Sequence, residues 1–131
     1  MKIKYIFYLY LATCFYACSN DDKHIEILSM KKEYNFQIDS SFCNECSNWQ
    51  LTKDEVLEII LNSEVISTHE IDYIFNTLPC QYTGEIEFKK VKYQYTLNSG
   101  SYCILFNKDT SIYFGYFKKS KMFITPPGLQ N

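Results

Sequence analysis

Hydrophobic and polar residues repeat with a helical period in the middle of the chain. Val56 and Ile60 lie on one face if residues 53–62 are helical. Thr52 and Glu55 form a capping box at the start of this segment, because each side chain can accept a hydrogen bond from the backbone N–H of the other residue. The pattern therefore predicts a helix over 53–62.

A second helix is predicted shortly after the first. Ser67 and Glu70 form another capping box, and apolar residues continue at helical spacing to Leu78. Pro79 ends the pattern, so the helix is expected over 68–78. Because only about five residues separate the two predicted helices, they are expected to form an αα-hairpin.

After the second helix the hydrophobic period changes to two, which is typical of strands with one buried face. Short polar turns separate the alternating segments, so they predict an antiparallel β-meander of four to five strands with the αα-hairpin packed on one face. The predicted fold class is α+β. The predicted strands are 85–88, 91–97, 102–107, 112–117 and 122–125.

The segment before the helices is less regular. Residues 25–28 are a short apolar run, and 33–39 alternate as a strand with one buried face. Residues 39–48 form a polar loop that carries two of the cysteines. The length suits a single globular α+β domain over 25–131.

The N-terminus has the organisation of an export signal. Two lysines precede an almost purely apolar run over 5–16, which is shorter than the roughly 20 residues that a spanning helix needs. Ala17 directly precedes Cys18, as lipoprotein processing requires, whereas ordinary cleavage after Ala17 would place the bulky Phe15 at position −3. We therefore predict a lipoprotein signal peptide over 1–17 and lipidation of Cys18.

Lipidation of Cys18 would leave a polar tether over 18–24. Two or more acyl chains anchor a protein stably without a spanning helix. We therefore expect a protein of the bacterial cell envelope, anchored in the outer membrane on its periplasmic face or at the cell surface. Cys14 is a second candidate, although Thr13 is a poorer preceding residue. An uncleaved hydrophobic helix and a soluble secreted protein are the alternatives.

Composition and charge narrow the classes of partner. The chain has 131 residues, of which 47% are hydrophobic, so a disordered or multidomain protein is excluded. It contains 13 lysines and no arginine, so bidentate guanidinium recognition of phosphate is absent. From Cys18 onward, 11 lysines and 15 acidic residues give a net charge of −4. This acidity and the export signal argue against a nucleic-acid partner, despite the basic and aromatic run over 88–93.

Four cysteines remain after Cys18, and an even number in an oxidising compartment favours disulfides. In the predicted meander Cys80 faces about residue 99 and Cys103 about residue 96, so the two lie two strands apart. At about 4.8 Å per strand they exceed the ~7 Å Cα limit for a bridge. We predict that Cys80 bonds to the 43–46 segment, and that Cys103 either pairs with the other cysteine there or is a buried thiol. The disulfide candidates are Cys43, Cys46, Cys80 and Cys103.

The spacing of Cys43 and Cys46 allows two other kinds of site. A redox Cys-x-x-Cys opens a helix whose N-terminus lowers the thiol pKa, but this pair is predicted to lie in a loop. A four-cysteine zinc site is geometrically possible, although a second Cys-x-x-Cys is missing. We expect no metal and no cofactor. His24 is expected to be solvated in the tether, and His69 to lie on the surface at a helix start.

The sequence contains no catalytic constellation, so we do not predict an enzyme. Zincin, P-loop and dinucleotide-binding motifs are absent. Ser67, His69 and Asp72 lie too close together on one helix to form a catalytic triad. Glu85 and Glu87 share one strand face about 7 Å apart. Alternating glutamates of this kind normally form the solvent-exposed face of a sheet and are not a catalytic pair.

Two sequence segments carry a family resemblance. LPCQYTGE over 78–85 and YQYTLNSGS over 93–101 follow the two capped helices. With these motifs, roughly residues 52–125 resemble a group of small Bacteroidota lipoproteins, and 15–18 resemble their loose lipobox. The resemblance implies a fold and supplies no catalytic residues, because its motifs are turns, strand ends and one cysteine.

Three functions are compatible with these observations. The first is a membrane-tethered protein-interaction module, in particular an immunity or inhibitor protein against a secreted toxin. The second is a glycan- or ligand-binding accessory lipoprotein that uses Trp49 and exposed tyrosines as stacking platforms. The third is an enzyme or redox protein with an accessible, low-pKa thiol at Cys43-x-x-Cys46. The sequence assigns no ligand-binding residue, and the first function rests on analogy between classes of small lipoproteins.

Overall fold

The computed structural model describes residues 24–35, 37 and 40–128. Within this part, seven strands form one antiparallel sheet that dominates the fold, and three α-helices accompany it. The α+β class is confirmed. The strands are β1 Ile25–Ile27, β2 Lys31–Tyr34, β3 Glu64–Ile66, β4 Cys80–Phe88, β5 Val91–Asn98, β6 Tyr102–Phe106 and β7 Ser111–Gly115. The helices are α1 Cys43–Asn48, preceded by a 3₁₀ turn Ser40–Phe42, then α2 Lys53–Asn62 and α3 Thr68–Ile74.

Strands β4 to β7 form the predicted meander, with consecutive strands as neighbours. Phe88 faces Val91 across β4 and β5, as the 88–91 hairpin predicts, so Cys80 reaches the level of residue 99. Cys103 faces Leu97 and not residue 96. The predicted register of β6 is wrong by one residue because the turn between β5 and β6 takes three residues and not two.

Three short strands extend the meander at its two edges. β1 and β2 both pair with β4, one with each half of it, and β3 pairs with β7. Between β1 and β2 the chain bends over Gly84, where a Cβ atom would lie 2.1 Å from the carbonyl oxygen of Ser29. Only glycine permits this approach of two backbones.

Both predicted capping boxes are confirmed. The Thr52 hydroxyl accepts from the Glu55 N–H at 3.2 Å, and Ser67 accepts from Glu70 at 3.3 Å. Helix α2 has its predicted bounds, but α3 ends at Ile74 and does not continue to 78. Beyond Ile74 other partners replace the helical ones: the Ile74 carbonyl accepts from the Gly128 N–H at 2.9 Å, and the Leu78 N–H donates to the Asn98 side chain at 3.0 Å.

The predicted αα-hairpin packed on one face of the meander is not confirmed, because α2 and α3 cover opposite faces of the sheet. The segment between the helices is not a loop: it contains β3, which pairs with β7. Val56 of α2 packs in a core that includes Leu105, whereas Ile71 of α3 packs in a second core with Tyr102. Positions 102 and 105 of β6 point to opposite faces, since side chains alternate along a strand.

Two other segment predictions change. The strand predicted over 33–39 is β2, which begins two residues earlier and ends at Tyr34; Phe36 and Ile38 lie outside the described residues. The fifth strand predicted over 122–125 is not a strand. That segment instead forms single hydrogen bonds to the turn between β5 and β6, so no ladder of backbone pairs develops.

Candidate functional site

The predicted bond between Cys80 and the 43–46 segment is present as Cys46–Cys80. The Cα atoms are 5.7 Å apart and the two residues are 34 positions apart in the sequence. Both cysteines are fully buried, and the Cys80 sulfur lies 3.1 Å from the Ser99 hydroxyl. The disulfide therefore fastens α1 to the start of β4 inside the main core.

Cys43 and Cys46 open helix α1, so their predicted position in a loop is wrong. Cys46 is 0% exposed, so one face of α1 packs in the core. Cys43 stays exposed with a free thiol, while the sulfur of Cys46 is bonded to Cys80. The two cysteines therefore do not form a reducible pair with one another in this structure.

Cys103 is a buried free thiol, which is one of the two outcomes predicted for it. It is 1% exposed in β6, and burial raises the pKa of its thiol far above the ordinary value. Within the described residues, no group of three or more His, Cys, Asp or Glu side chains is placed to hold a metal ion. None of the helices in this part of the chain has the length and apolarity to cross a bilayer.

The motif residues over 93–101 build a buried polar turn between β5 and β6. The Asn98 side chain accepts from the N–H groups of Leu78 at 3.0 Å and Gly100 at 2.9 Å, and it donates to the Leu78 carbonyl at 3.0 Å. A Cβ on Gly100 would lie 1.7 Å from the carbonyl oxygen of Asn76. These residues therefore have a structural role, and they hold the segment that follows α3 against the turn.

The C-terminal segment crosses this turn and is fixed to it. Backbone N–H groups of Tyr116 and Ile124 donate to the carbonyls of Ser101 and Ser99 at 2.9 and 3.1 Å. The Trp49 indole N–H donates to the Met122 carbonyl at 2.7 Å. Residues 118–126 are thus held at the end of the sheet where β5 meets β6.

An open groove forms along this segment, and we name it the lysine groove. Its volume is about 390 Å³. The apolar floor is formed by Phe123, which is 8% exposed, and by Ile124. Lys119 and Lys121 stand exposed at its rim, and no carboxylate lines it. The groove can therefore accept a negatively charged group beside an apolar one. Its lining residues are Lys119, Ser120, Lys121, Phe123, Ile124 and Pro126.

Trp49 does not lie on the surface as a stacking platform. It is 6% exposed, and its ring packs on Tyr82 with centroids 4.9 Å apart. The ammonium group of Lys32 donates to the Trp49 carbonyl and lies 6.0 Å from the centre of its ring. Among the described residues, Tyr34 and Tyr73 are the tyrosines with the largest exposed fractions, 45% and 58%.

The structure does not bring the remaining candidate side chains together. His69 is exposed in the first turn of α3 and stacks on Tyr73 at 4.2 Å. His24 lies 3.6 Å from Glu26 on the opposite edge of the sheet. Glu87 faces Lys92 across β4 and β5. These groups pair locally, and they do not converge on one reacting point.

The turn between β4 and β5 consists of Lys89 and Lys90, and we name it the lysine turn. Both residues have left-handed backbones, with φ of 50° and 64°. Turns of this type favour Asn-Gly, because a left-handed backbone costs a residue with a Cβ about 1–2 kcal/mol. The protein therefore retains two lysines at a position where glycine would be less strained.

Sequence reasoning did not find the lysine groove, because it treated residues 122–125 as a strand. Three lysines within 118–121 and two prolines at 126 and 127 were the available signals. Prolines cannot donate to a β-ladder, and they limit how far this segment can pair as a strand. No protein-family model matches the chain, and no curated protein or solved structure does either.

Proposed function

We propose that this protein is a lipid-anchored protein-interaction module of the bacterial cell envelope, of the immunity or inhibitor class, that holds an acidic segment of a protein partner. Acylation of Cys18 would anchor it in the outer membrane, on the periplasmic face or at the cell surface. The lysine groove is the observation that carries the proposal, since its rim is cationic and its floor is apolar. A segment with acidic residues around an apolar side chain complements both features.

The position of the groove supports a partner that approaches from outside the membrane. The groove lies where β5 meets β6, and the described chain begins at the other end of β5, beside the lysine turn. β5 has eight residues, so the two ends are about 25 Å apart. A tether attached at His24 would therefore start at the end of β5 opposite the turn that binds Ile124.

Binding is tested with tagged residues 19–131, which include every described residue. The probes are a synthetic peptide in which glutamates flank a central leucine, and secreted and envelope fractions of the source organism and its competitors. A partner supports the proposal when Lys119→Glu with Lys121→Glu weakens binding at least about tenfold. The matched control is Lys89→Glu with Lys90→Glu, which makes the same charge change at the other end and is expected to bind normally.

The competing outcomes are separated in the same experiment. A partner that binds both double variants equally would refute the lysine groove as the docking site. Retention of glycans without any protein would favour the glycan- or ligand-binding function, with Tyr34 and Tyr73 as the exposed aromatics. The mass of the mature N-terminus tests the anchor separately, and an unmodified Cys18 would refute lipidation.

A further inference from the structure

The described chain begins beside the lysine turn. The Lys89 N–H donates to the His24 carbonyl at 3.1 Å, and Ile25 pairs with Phe88. Five residues separate Cys18 from His24 in the sequence. Because an extended chain spans at most about 3.6 Å per residue, the lysine turn lies within about 25 Å of an anchor at Cys18.

The surface at this end is cationic with apolar neighbours. Lys89 and Lys90 are exposed at the tip of the hairpin. Val91 beside them is 43% exposed, and Leu61 of α2 is 55% exposed. A groove of about 270 Å³ opens next to them, with Lys89 at its edge and Phe88 in its wall. The lysine stems can lie along apolar surface while their ammonium groups stay in water.

The acidic groups of β1 and β4 near this end are set back from the hairpin tip. Glu87 faces Lys92 across β4 and β5, and Glu26 lies beside Glu87 and His24. Those residues belong to the strand pairs, whereas Lys89 and Lys90 extend past the last pair, Phe88 with Val91. The tether itself contains Asp21 and Asp22 with Lys23. Lys89 and Lys90 are therefore the outermost charges of the β4–β5 hairpin, and the neighbouring turn between β6 and β7 adds the exposed Lys108 and Asp109.

We propose that the lysine turn, together with the exposed side chains of Val91 and Leu61, rests on the anionic headgroups of the membrane that holds the anchor. The lysines pair with lipid phosphates, and the two apolar side chains lie at the headgroup level. This proposal rests on the acylation of Cys18. It gives the lipid anchor a defined orientation, because a second contact point restricts rotation about the tether.

The contact explains why lysines occupy a turn that favours Asn-Gly. Their left-handed backbones are strained, and the Lys89 ammonium lies 5.3 Å from the centre of the Phe88 ring. Attraction to an anionic surface is worth about a fivefold change in binding for each lysine near it, and salt weakens it. The acyl chains keep the lysine turn close to the membrane surface. The contact therefore forms often even though each lysine binds weakly.

The test uses the acylated full-length protein, processed by the bacterium and reconstituted in vesicles. One set contains phosphatidylcholine with about 30 mol% phosphatidylglycerol, and the other contains phosphatidylcholine alone. Brief labelling of amines, read by mass spectrometry, compares Lys89 and Lys90 with Lys119 and Lys121. We expect labelling of the turn lysines to fall about fivefold in the anionic vesicles and to recover at high salt, with the groove lysines unchanged.

Other labelling results would contradict the contact. Equal labelling of all four lysines in both vesicle types would overturn the proposed contact. Lys89→Glu with Lys90→Glu provides a second readout, because it should increase labelling of Lys92 in anionic vesicles while the intact mass still shows the acyl chains. The intact mass separates the two proposals: an acylated protein with unprotected turn lysines refutes this contact alone, and an unmodified Cys18 refutes both.

Discussion

Replacing Cys46 and Cys80 together by alanine is expected to lower the free energy of unfolding by about 4 kcal/mol. The bond joins residues that are 34 positions apart. A cross-link that closes a loop of this length removes about 3.8 kcal/mol of chain entropy from the unfolded state at 25 °C. Loss of two buried sulfur atoms from the core adds to the effect. A domain of this size is stable by only about 5–15 kcal/mol, so the change is large.

Both cysteines must be replaced at once, because Cys43 lies three residues before Cys46 on the same helix. Residues three apart are neighbours on a helix. A single replacement would free the thiol of Cys46 or Cys80, and Cys43 could then form a disulfide with it. Urea denaturation of residues 19–131, followed by tyrosine and tryptophan fluorescence, measures the change. With a denaturant dependence of about 2 kcal/mol/M, the midpoint should fall by about 2 M.

Cys43→Ala is the matched control. Its thiol is free and exposed, so its replacement should change the free energy of unfolding by less than about 0.5 kcal/mol. A loss below about 1 kcal/mol in the double variant would show that the cross-link does not constrain the unfolded chain as reasoned here. Peptide mapping of the unreduced protein that found a Cys43–Cys46 or Cys80–Cys103 bond would contradict the connectivity itself.

Three further predictions concern the sheet and the turn at its end. Asn98→Ala removes three hydrogen bonds to backbone groups and should lower the free energy of unfolding by about 2–4 kcal/mol, whereas Asn107→Ala, which removes exposed turn bonds, should cost less than about 1 kcal/mol; equal losses in urea would contradict the role of Asn98. Gly100→Ala places a Cβ 1.7 Å from the Asn76 carbonyl oxygen and should lower the thermal midpoint by about 8 °C or more; an unchanged midpoint would show that this close approach is absent. Burial raises the pKa of Cys103 above its ordinary 9.0, so the stability it contributes is complete below about pH 9 and declines as the unfolded thiol ionises, by at most about 1.4 kcal/mol per pH unit. Stability measured from pH 8 to 10 should therefore fall less steeply in Cys103→Ala, and identical slopes would refute this linkage.

The local elements of the fold were predictable wherever a few neighbouring residues satisfy one another. Thr52 with Glu55 and Ser67 with Glu70 supply both partners of each helix cap within one turn. The two-residue period of β4 and β5 fixed which side chains face the core and, with the short turn at 89–90, their register. The same reasoning about strand spacing excluded a Cys80–Cys103 bond and directed Cys80 to the 43–46 segment.

The candidate site was less predictable because it depends on contacts between distant segments. The lysine groove exists because residues 122–125 bind the Ser99 carbonyl and the Trp49 indole instead of pairing as a strand. The sequence suggests that Trp49 is exposed and can stack on a ligand. Only its packing on Tyr82 shows that it is buried. The strain at Lys89 and Lys90 likewise becomes visible only in their backbone angles.

The α+β class, the starts of α2 and α3, and the meander follow from local sequence patterns, since hydrophobic period, capping and short turns act over a few residues. The face of the sheet on which each helix packs depends on contacts between distant segments. That choice depends on β3, three residues that pair with Tyr113–Gly115 nearly fifty positions later. A strand this short has no local signal, because its hydrogen bonds are supplied by a distant segment of the chain. The placement of the two helices on opposite faces follows from that pairing.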